Sequence, residues 1–470
     1  MKFSLVVVNS FLVSTLFVIQ GSHSNDVDYK LTQSSKNLKE QVNTYVNPCE
    51  DFYHFSCGSW LDKNDEPKPN YGGFGGFNMR QSYWNFTKYV GFGKYNKLSK
   101  TLEKLRSMKI TCTRKEFRNL ECQGKVEEFS SYAFVTYYFH THVLNQERYW
   151  KSLDKVQEMF ENIHEEFVKI IVNDDEILDD RSKKNVLRKL KHMKFDRHFL
   201  EHVYSIDRVE KCYDLFDYDL QDKPEDILKK LNNYGNNTKA VKGDYPCIDF
   251  INKKNFFHLY YSDDIDIDYL SNFNIIAANP TILRDPHFNI DFIDALNYGG
   301  MGSLIGNKIG TAFNRQNIHF DADHNITMLL TDESRKKYDD MFKCMERKYN
   351  KDKKDKVDEK VTLDDNYADN IGLKIAHKAY MNYLQKNGDY ELKVPDFEIF
   401  TREQLFFINY GRSYCELGNK LVTYGVIDKS KVKPGQVRVT KTLANYESFA
   451  KAFNCKVGSS MNPKDKCKVW

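Results

Sequence analysis

From about residue 100 to 205 the apolar residues recur three or four apart. Leu153, Val156, Phe160, Ile163, Phe167, Ile170 and Ile171 fall on one side of a helix, with Glu, Lys and Asp on the other. A second stripe follows Asp179 and Asp180, where Val186, Leu187, Leu190 and Met193 predict another helix. Both stripes read as core rather than as a ligand site. A further helix is expected within Ala295–Phe320. Elsewhere the pattern weakens. Residues 25–45 read as a polar, mobile lead, and residues 61–100, rich in Gly, Tyr and Asn, read as a connection. Within it Gly72–Phe77 lacks the lysine-serine pair and preceding strand of a phosphate cradle. Residues 206–265 are acidic, aromatic and poorly periodic, and suit a return path between lobes. The alternating charges of Lys351–Lys360 suit an exposed helix end or loop.

The N-terminus changes the picture. Lys2, the apolar run Leu5–Ile19 and the small or polar Gly21-Ser22-His23-Ser24 together read as a signal peptide over residues 1–24. The run falls short of the roughly 20 apolar residues of a membrane span, so an uncleaved anchor is the alternative. No other segment approaches that length, and the mature chain is expected to have no membrane span. Ten cysteines in a chain entering that pathway read as disulfides. Sequons at Asn85, Asn236 and Asn325 make these asparagines glycosylation candidates. A formal charge of +4 spread over 470 residues points to no nucleic acid and to no anionic membrane surface. Mean hydropathy of -0.65 excludes a polytopic membrane protein, and the length suits two lobes.

Two stretches carry a specific motif. One is Asn47-Pro-Cys49-Glu-Asp-Phe-Tyr-His-Phe-Ser-Cys57-Gly-Ser-Trp60. The other runs from Leu296-Asn297-Tyr298-Gly299-Gly300-Met301-Gly302 through Ile305-Gly306 and Ile309 to Phe313. Together they closely resemble the opening signature and the zinc helix of the neprilysin family of metallopeptidases. Asn274–Leu283 resembles that family's edge strand, which pairs with bound peptide. Thr362–Lys374 resembles the segment that supplies its third zinc ligand. Gln404–Phe407, Arg438-Val439, Ala452-Phe453 and Met461-Asn-Pro follow in the family's order. The resemblance implies disulfides Cys49–Cys455, Cys57–Cys415 and Cys344–Cys467; Cys112, Cys122, Cys212 and Cys247 remain, with three possible connectivities. It also implies a chain about 200 residues shorter than usual, and so a reduced covering lobe.

The chemistry departs from the frame. Where the family has two zinc-binding histidines and the glutamate that polarises water, this sequence has Asn307, Thr311 and Lys308. Asp365 stands for the third ligand, a glutamate, and Asp369 keeps the position that orients the first histidine. Val432 stands where a transition-state histidine is expected, and Asp266-Ile267-Asp268 replaces the word that holds the peptide backbone. An amide, a hydroxyl and one carboxylate make a poor zinc shell, and a lysine beside the site is a cation where a base is required. Lys308 is expected to offset Asp365 and Asp369 in a buried ionic cluster, so that Lys308→Met costs several kcal/mol; the alternative points Lys308 to solvent. Arg438 is a candidate for holding a peptide carbonyl or carboxylate, with an internal carboxylate as the other possible partner. His319 and His324, near Asp321 and Asp323, offer at most a metal site in a loop.

The expected fold is therefore mainly α with small β content: a two-lobed neprilysin-like ectodomain whose thermolysin-like lobe faces a reduced helical lobe. The signal peptide (1–24) is followed by a stapled N-terminal segment (25–70), the helical lobe (71–255) and the degenerate metallopeptidase-type lobe (256–470). The expected function is that of a secreted pseudopeptidase without a cofactor, binding a peptide or a secreted protein. The rival is an active zinc metalloendopeptidase with a displaced metal.

Overall fold

The computed structural model describes residues 26–63, 77–114, 119–198, 201, 204–237, 267–278, 280–349, 359–387, 393–416 and 435–470. The signal-peptide segment, Gly72–Gly76, Cys247, Asp266 and Val432 lie outside them. Helix α1 (26–41) leads to α2 (Phe52–Lys63), α3 (Phe77–Gly91), α4 (Lys100–Thr113), α5 (Leu120–His142), α6 (Glu147–Val172) and α7 (Asp180–His192). Strand β1 (Lys194–Phe195), α8 (Ile206–Asp214), α9 (Pro224–Asn237), β2 (Ile267–Leu270) and β3 (Ile275–Ala278) follow. The C-terminal part holds α10 (Asp294–Asn297), a π-helical turn (Tyr298–Gly302), α11 (Ser303–Thr311), α12 (Asp332–Tyr349), α13 (Glu359–Asn387), α14 (Arg402–Arg412), α15 (Gly435–Asn445) and α16 (Glu447–Ala452).

Local chemistry accounts for several of these boundaries. Asp179 caps α7 by accepting from the Ser182 amide, and Thr401 with Gln404 forms a reciprocal capping box at the start of α14. The stripe of α6 is buried as its spacing demands, with Leu153, Val156, Phe160, Ile163, Phe167 and Ile171 inside. It packs against α13 and α11, and β1 joins the sheet below them. Residues 147–195 therefore share a core with the C-terminal elements, whereas α3, α4, α5, α8 and α9 pack on one another.

Three expectations need correction. The lead is not mobile over 26–41: α1 buries Leu31 and Leu38 and places Asn37 and Gln41 on the fully buried Arg412. Arg412 donates to Gln41 Oε1 (2.5 Å), to Asn409 Oδ1 (2.6 Å) and to Asn37. Burial still lowers its pKa to about 10, with Asp285 and Glu40 opposing the shift. The stretch 61–100 is not only a connection, because Tyr83, Phe86 and Val90 give α3 an apolar side against α5. The segment from Asn274 is not an edge: β3 is central, parallel to β1 and antiparallel to β2, with Asp268 opposite Ala277 and Leu270 opposite Ile275. Its apolar run Ile275-Ile-Ala-Ala278 suits a strand covered on both faces.

Disulfides join Cys49–Cys455, Cys57–Cys415, Cys112–Cys122 and Cys344–Cys467, and Cys212 is disulfide-bonded as well. The first two fasten α2 beside α14 and α16, where Phe52 meets Phe449 and Phe453 edge to face. Paired Cys57→Ser and Cys415→Ser substitutions are expected to remove about 2–4 kcal/mol, given how much chain that bridge closes. The fall appears in the denaturant midpoint of the oxidised protein.

Candidate functional site

The site stands where α11 crosses α13. Side chains four apart share a helix face, so Asn307 and Thr311 stand together on α11, and Asp365 and Asp369 on α13. The helices approach backbone to backbone at a pair of glycines. A Cβ on Gly306 would lie 2.4 Å from the Gly372 carbonyl oxygen, and one on Gly372 would lie 2.3 Å from the Asn307 nitrogen. Upstream, the Met301 amide donates to the His287 carbonyl at 2.7 Å, outside the helical ladder. That bond accompanies the widened turn through which α10 continues into α11.

Asp369 is the centre of the polar network and is only 2% exposed. Asn307 Nδ2 donates to its Oδ1 at 2.8 Å, and Arg438 grips both oxygens, Nε to Oδ2 at 2.8 Å and Nη2 to Oδ1 at 2.6 Å. The Tyr414 hydroxyl reaches Oδ1 at 3.4 Å, and its ring lies 4.7 Å from the guanidinium. Burial would lower the pKa of Arg438; the Asp369 carboxylate overrides that and holds it well above the ordinary value. Asp365 opens to solvent, yet the protein around it and the Asp369 charge raise its pKa, against the lesser influences of Arg438 and Lys308.

The ionic cluster expected around Lys308 is thus built differently. Its ammonium meets Asp268 Oδ1 on β2 at 3.3 Å, with the two side chains 26% and 52% exposed. Lys308 therefore belongs to a half-open bridge, and Arg438 is the counter-charge of Asp369. The long, flexible lysine follows the carboxylate at the sheet edge, while the planar fork of arginine matches the buried one. Arg438 takes the internal partner that its sequence left open. Thr311 turns inward, donating to the Asn307 carbonyl at 2.9 Å. Tyr414 is the participant that sequence reasoning missed; its only signal is the neighbouring Cys415, which pins the end of α14.

The loop histidines are used otherwise. His324 stacks on Phe320 with centroids 4.6 Å apart, Asp321 accepts from the Asn325 amide at 2.9 Å, and Asp323 pairs with Arg188 at 2.8 Å. Among the described residues no group of three or more His, Cys, Asp or Glu is arranged to hold a metal ion. Of the sequon asparagines, Asn85 is half-buried on α3, Asn236 lies on α9 and Asn325 is exposed.

Comparison with known proteins bears on the same segment. The model of peptidase family M13 matches residues 268–469. Neprilysin-1 of Caenorhabditis elegans is 28% identical over 356 residues, covering 74% of this chain and 44% of that protein. Human neprilysin is 33% identical over 207 residues, covering 43% and 27% respectively. Residues 268–469 are thus similar to the M13 peptidase family, and the chain is similar to neprilysins. It spans less than half the length of these neprilysin relatives. Its fold is also that of solved M13-type structures. PEPO of Lactobacillus rhamnosis superposes with a TM-score of 0.53 at 20% identity, over 73% of this chain and 50% of that one. The zinc metalloprotease ZMP1 of Mycobacterium tuberculosis superposes with a TM-score of 0.51 at 19% identity, over 73% and 50%.

Neprilysin-family peptidases use zinc, and the donor set of this chain does not fit that ion. The Asn307 amide directs its N–H toward Asp369, and the Thr311 hydroxyl directs its proton to a backbone carbonyl. Asp365 is then the single anionic donor among the three ligand positions, and one carboxylate cannot make up for the two lost histidines. Asp369, the remaining carboxylate, is already held by a cation.

Proposed function

We propose that this chain is a secreted, catalytically inactive member of the neprilysin family that holds a peptide or protein segment in the cleft between β2 and the α11–α13 crossing. The observation that carries this reading is the bidentate Arg438–Asp369 bridge closed by Asn307. It commits the Asn307 amide, at the position of the first metal-binding histidine, to donating a hydrogen bond to a carboxylate that a cation already neutralises. No proton acceptor stands at Lys308, whose ammonium is paired with Asp268.

Features for holding rather than cutting a peptide remain. Among the described residues strand β2 is a sheet edge, with backbone groups that can extend onto an added strand. Arg438 uses Nε and Nη2 on Asp369 but keeps 28% of its side chain accessible, enough to meet a peptide carbonyl or carboxylate. Secretion is supported by the disulfide framework, which suits an oxidising compartment. Among the described residues no helix is long and apolar enough to cross a membrane.

The test is zinc content, measured by elemental mass spectrometry after dialysis against trace zinc. The expected result is far less than one equivalent per chain. A stoichiometric, tightly held zinc overturns the proposal and makes peptide cleavage the next assay.

A further inference from the structure

The small net charge hides a local segregation. No acidic residue occurs between Glu66 and Glu103, while Lys68, Arg80, Lys88, Lys94, Lys97 and Lys100 do. Within this stretch α3 buries Phe86 and Val90, at 1% and 2% exposure. Its opposite side repeats every four residues as Trp84, Lys88 and Phe92, with Trp84 55% and Phe92 70% exposed, and Tyr89 flanks them at 43%. Phe92 stands at the tip of Gly91-Phe-Gly93, a turn that needs glycine because Gly93 has φ +79°. Arg106 braces the turn from below, donating from Nε to the Gly91 carbonyl at 3.0 Å.

The lysines sit among the rings. Lys88 Nζ lies 5.2 Å from the Trp84 centroid and 5.9 Å from that of Phe92, and Lys94 Nζ lies 4.6 Å from that of Tyr89. Lys97 and Lys100 continue the exposed basic run, with Leu98 50% exposed between them. We propose that the Trp84–Lys88–Phe92 stripe, with Tyr89, Lys94 and Lys97, docks on the surface of an anionic lipid bilayer.

Two features select this occupant. The stretch between Glu66 and Glu103 carries cations and no acid, which complements anionic headgroups. Its apolar members are an indole, a phenol and a phenyl on a protruding turn. Such side chains settle at headgroup depth while neighbouring ammoniums meet the phosphates. A sulfated polysaccharide would use the lysines but has no use for Phe92, whose ring offers it no polar atom. The surface lies on the α3–α5 helices, away from the α11–α13 cleft, so the inference stands apart from the proposed inactivity of that cleft.

Vesicle co-flotation tests it, with phosphatidylcholine alone and phosphatidylcholine containing a minor share of phosphatidylserine. The full chain is expected to float with the anionic vesicles only, and to be released by high salt. A Trp84→Ser/Phe92→Ser variant and a Lys88→Glu/Lys94→Glu variant each weaken binding by about tenfold or more. Trp84→Phe retains binding, and all variants melt with the parent, since these side chains are exposed. Three results overturn the proposal: no flotation with either vesicle; retention on a sulfated polysaccharide without flotation; or a concentration-dependent dimer that the same substitutions abolish, which assigns the stripe to a second copy.

Discussion

Arg438→Met is expected to lower the stability of this protein by about 3–5 kcal/mol, the usual consequence of leaving a buried carboxylate without its cation. Asp369 is 2% exposed, and without Arg438 it keeps, among the described residues, the Asn307 amide and the distant Tyr414 hydroxyl. Chemical denaturation of parent and variant measures the loss. Asp369→Asn in the Arg438→Met background is expected to restore most of it, because the unpaired charge is then gone. A double variant as unstable as the single would show that Arg438 acts through packing on Tyr414 instead. By contrast Lys308→Met is expected to cost less than about 1 kcal/mol, the value of a half-exposed bridge. The pair of results separates the two cations, which the sequence alone could not rank.

The second large effect is steric. Gly372→Ala places a methyl 2.3 Å from the Asn307 nitrogen and 2.7 Å from its Cα, and Gly306→Ala places one 2.4 Å from the Gly372 oxygen. Both obstacles are backbone, so no rotamer relieves them, and α11 must part from α13. Overpacking of this kind costs about 1–3 kcal/mol or more, and here it also separates Asn307 from Asp369. Gly372→Ala is therefore expected to lower the melting temperature by several degrees. Gly124→Ala, with no atom within 4 Å of its Cβ, is the control and leaves the melting temperature unchanged or slightly raised.

What could be read in advance followed the range of the interaction. The stripe of α6 is a local repeat, and its residues are buried as the spacing requires. The helix through Ala295–Thr311 is likewise legible, although its wide turn depends on the carbonyl of His287, which the sequence cannot place. Helix α1 was hidden because Asn37 and Gln41 look solvent-bound until Arg412, more than 370 positions away, comes to rest on them. Helix α8 was hidden by brevity, since Val209, Cys212 and Tyr213 make too short a stripe to stand out in an acidic, aromatic stretch; the 14-residue α9, with Ile227, Leu231 and Tyr234 on one side, corrects the reading of that stretch as poorly periodic. At the site the residue types were plain, but their partners were not. Whether Lys308 or Arg438 neutralises Asp369 depends on how α13, α15 and β2 converge.

The two longest bridges also set an order on biosynthesis. Cys49 and Cys455 are 406 positions apart, and Cys57 and Cys415 are 358 apart. At about 5–20 residues per second, the thiols of α2 wait roughly 20–80 s before both partners have been made. For most of that interval Cys112 and Cys122, which lie closer in the nascent chain, have already been made. Any bridge that Cys49 or Cys57 forms in that interval must be exchanged before the native one can close, so the yield of native protein should rise with the disulfide-isomerase activity of the host compartment.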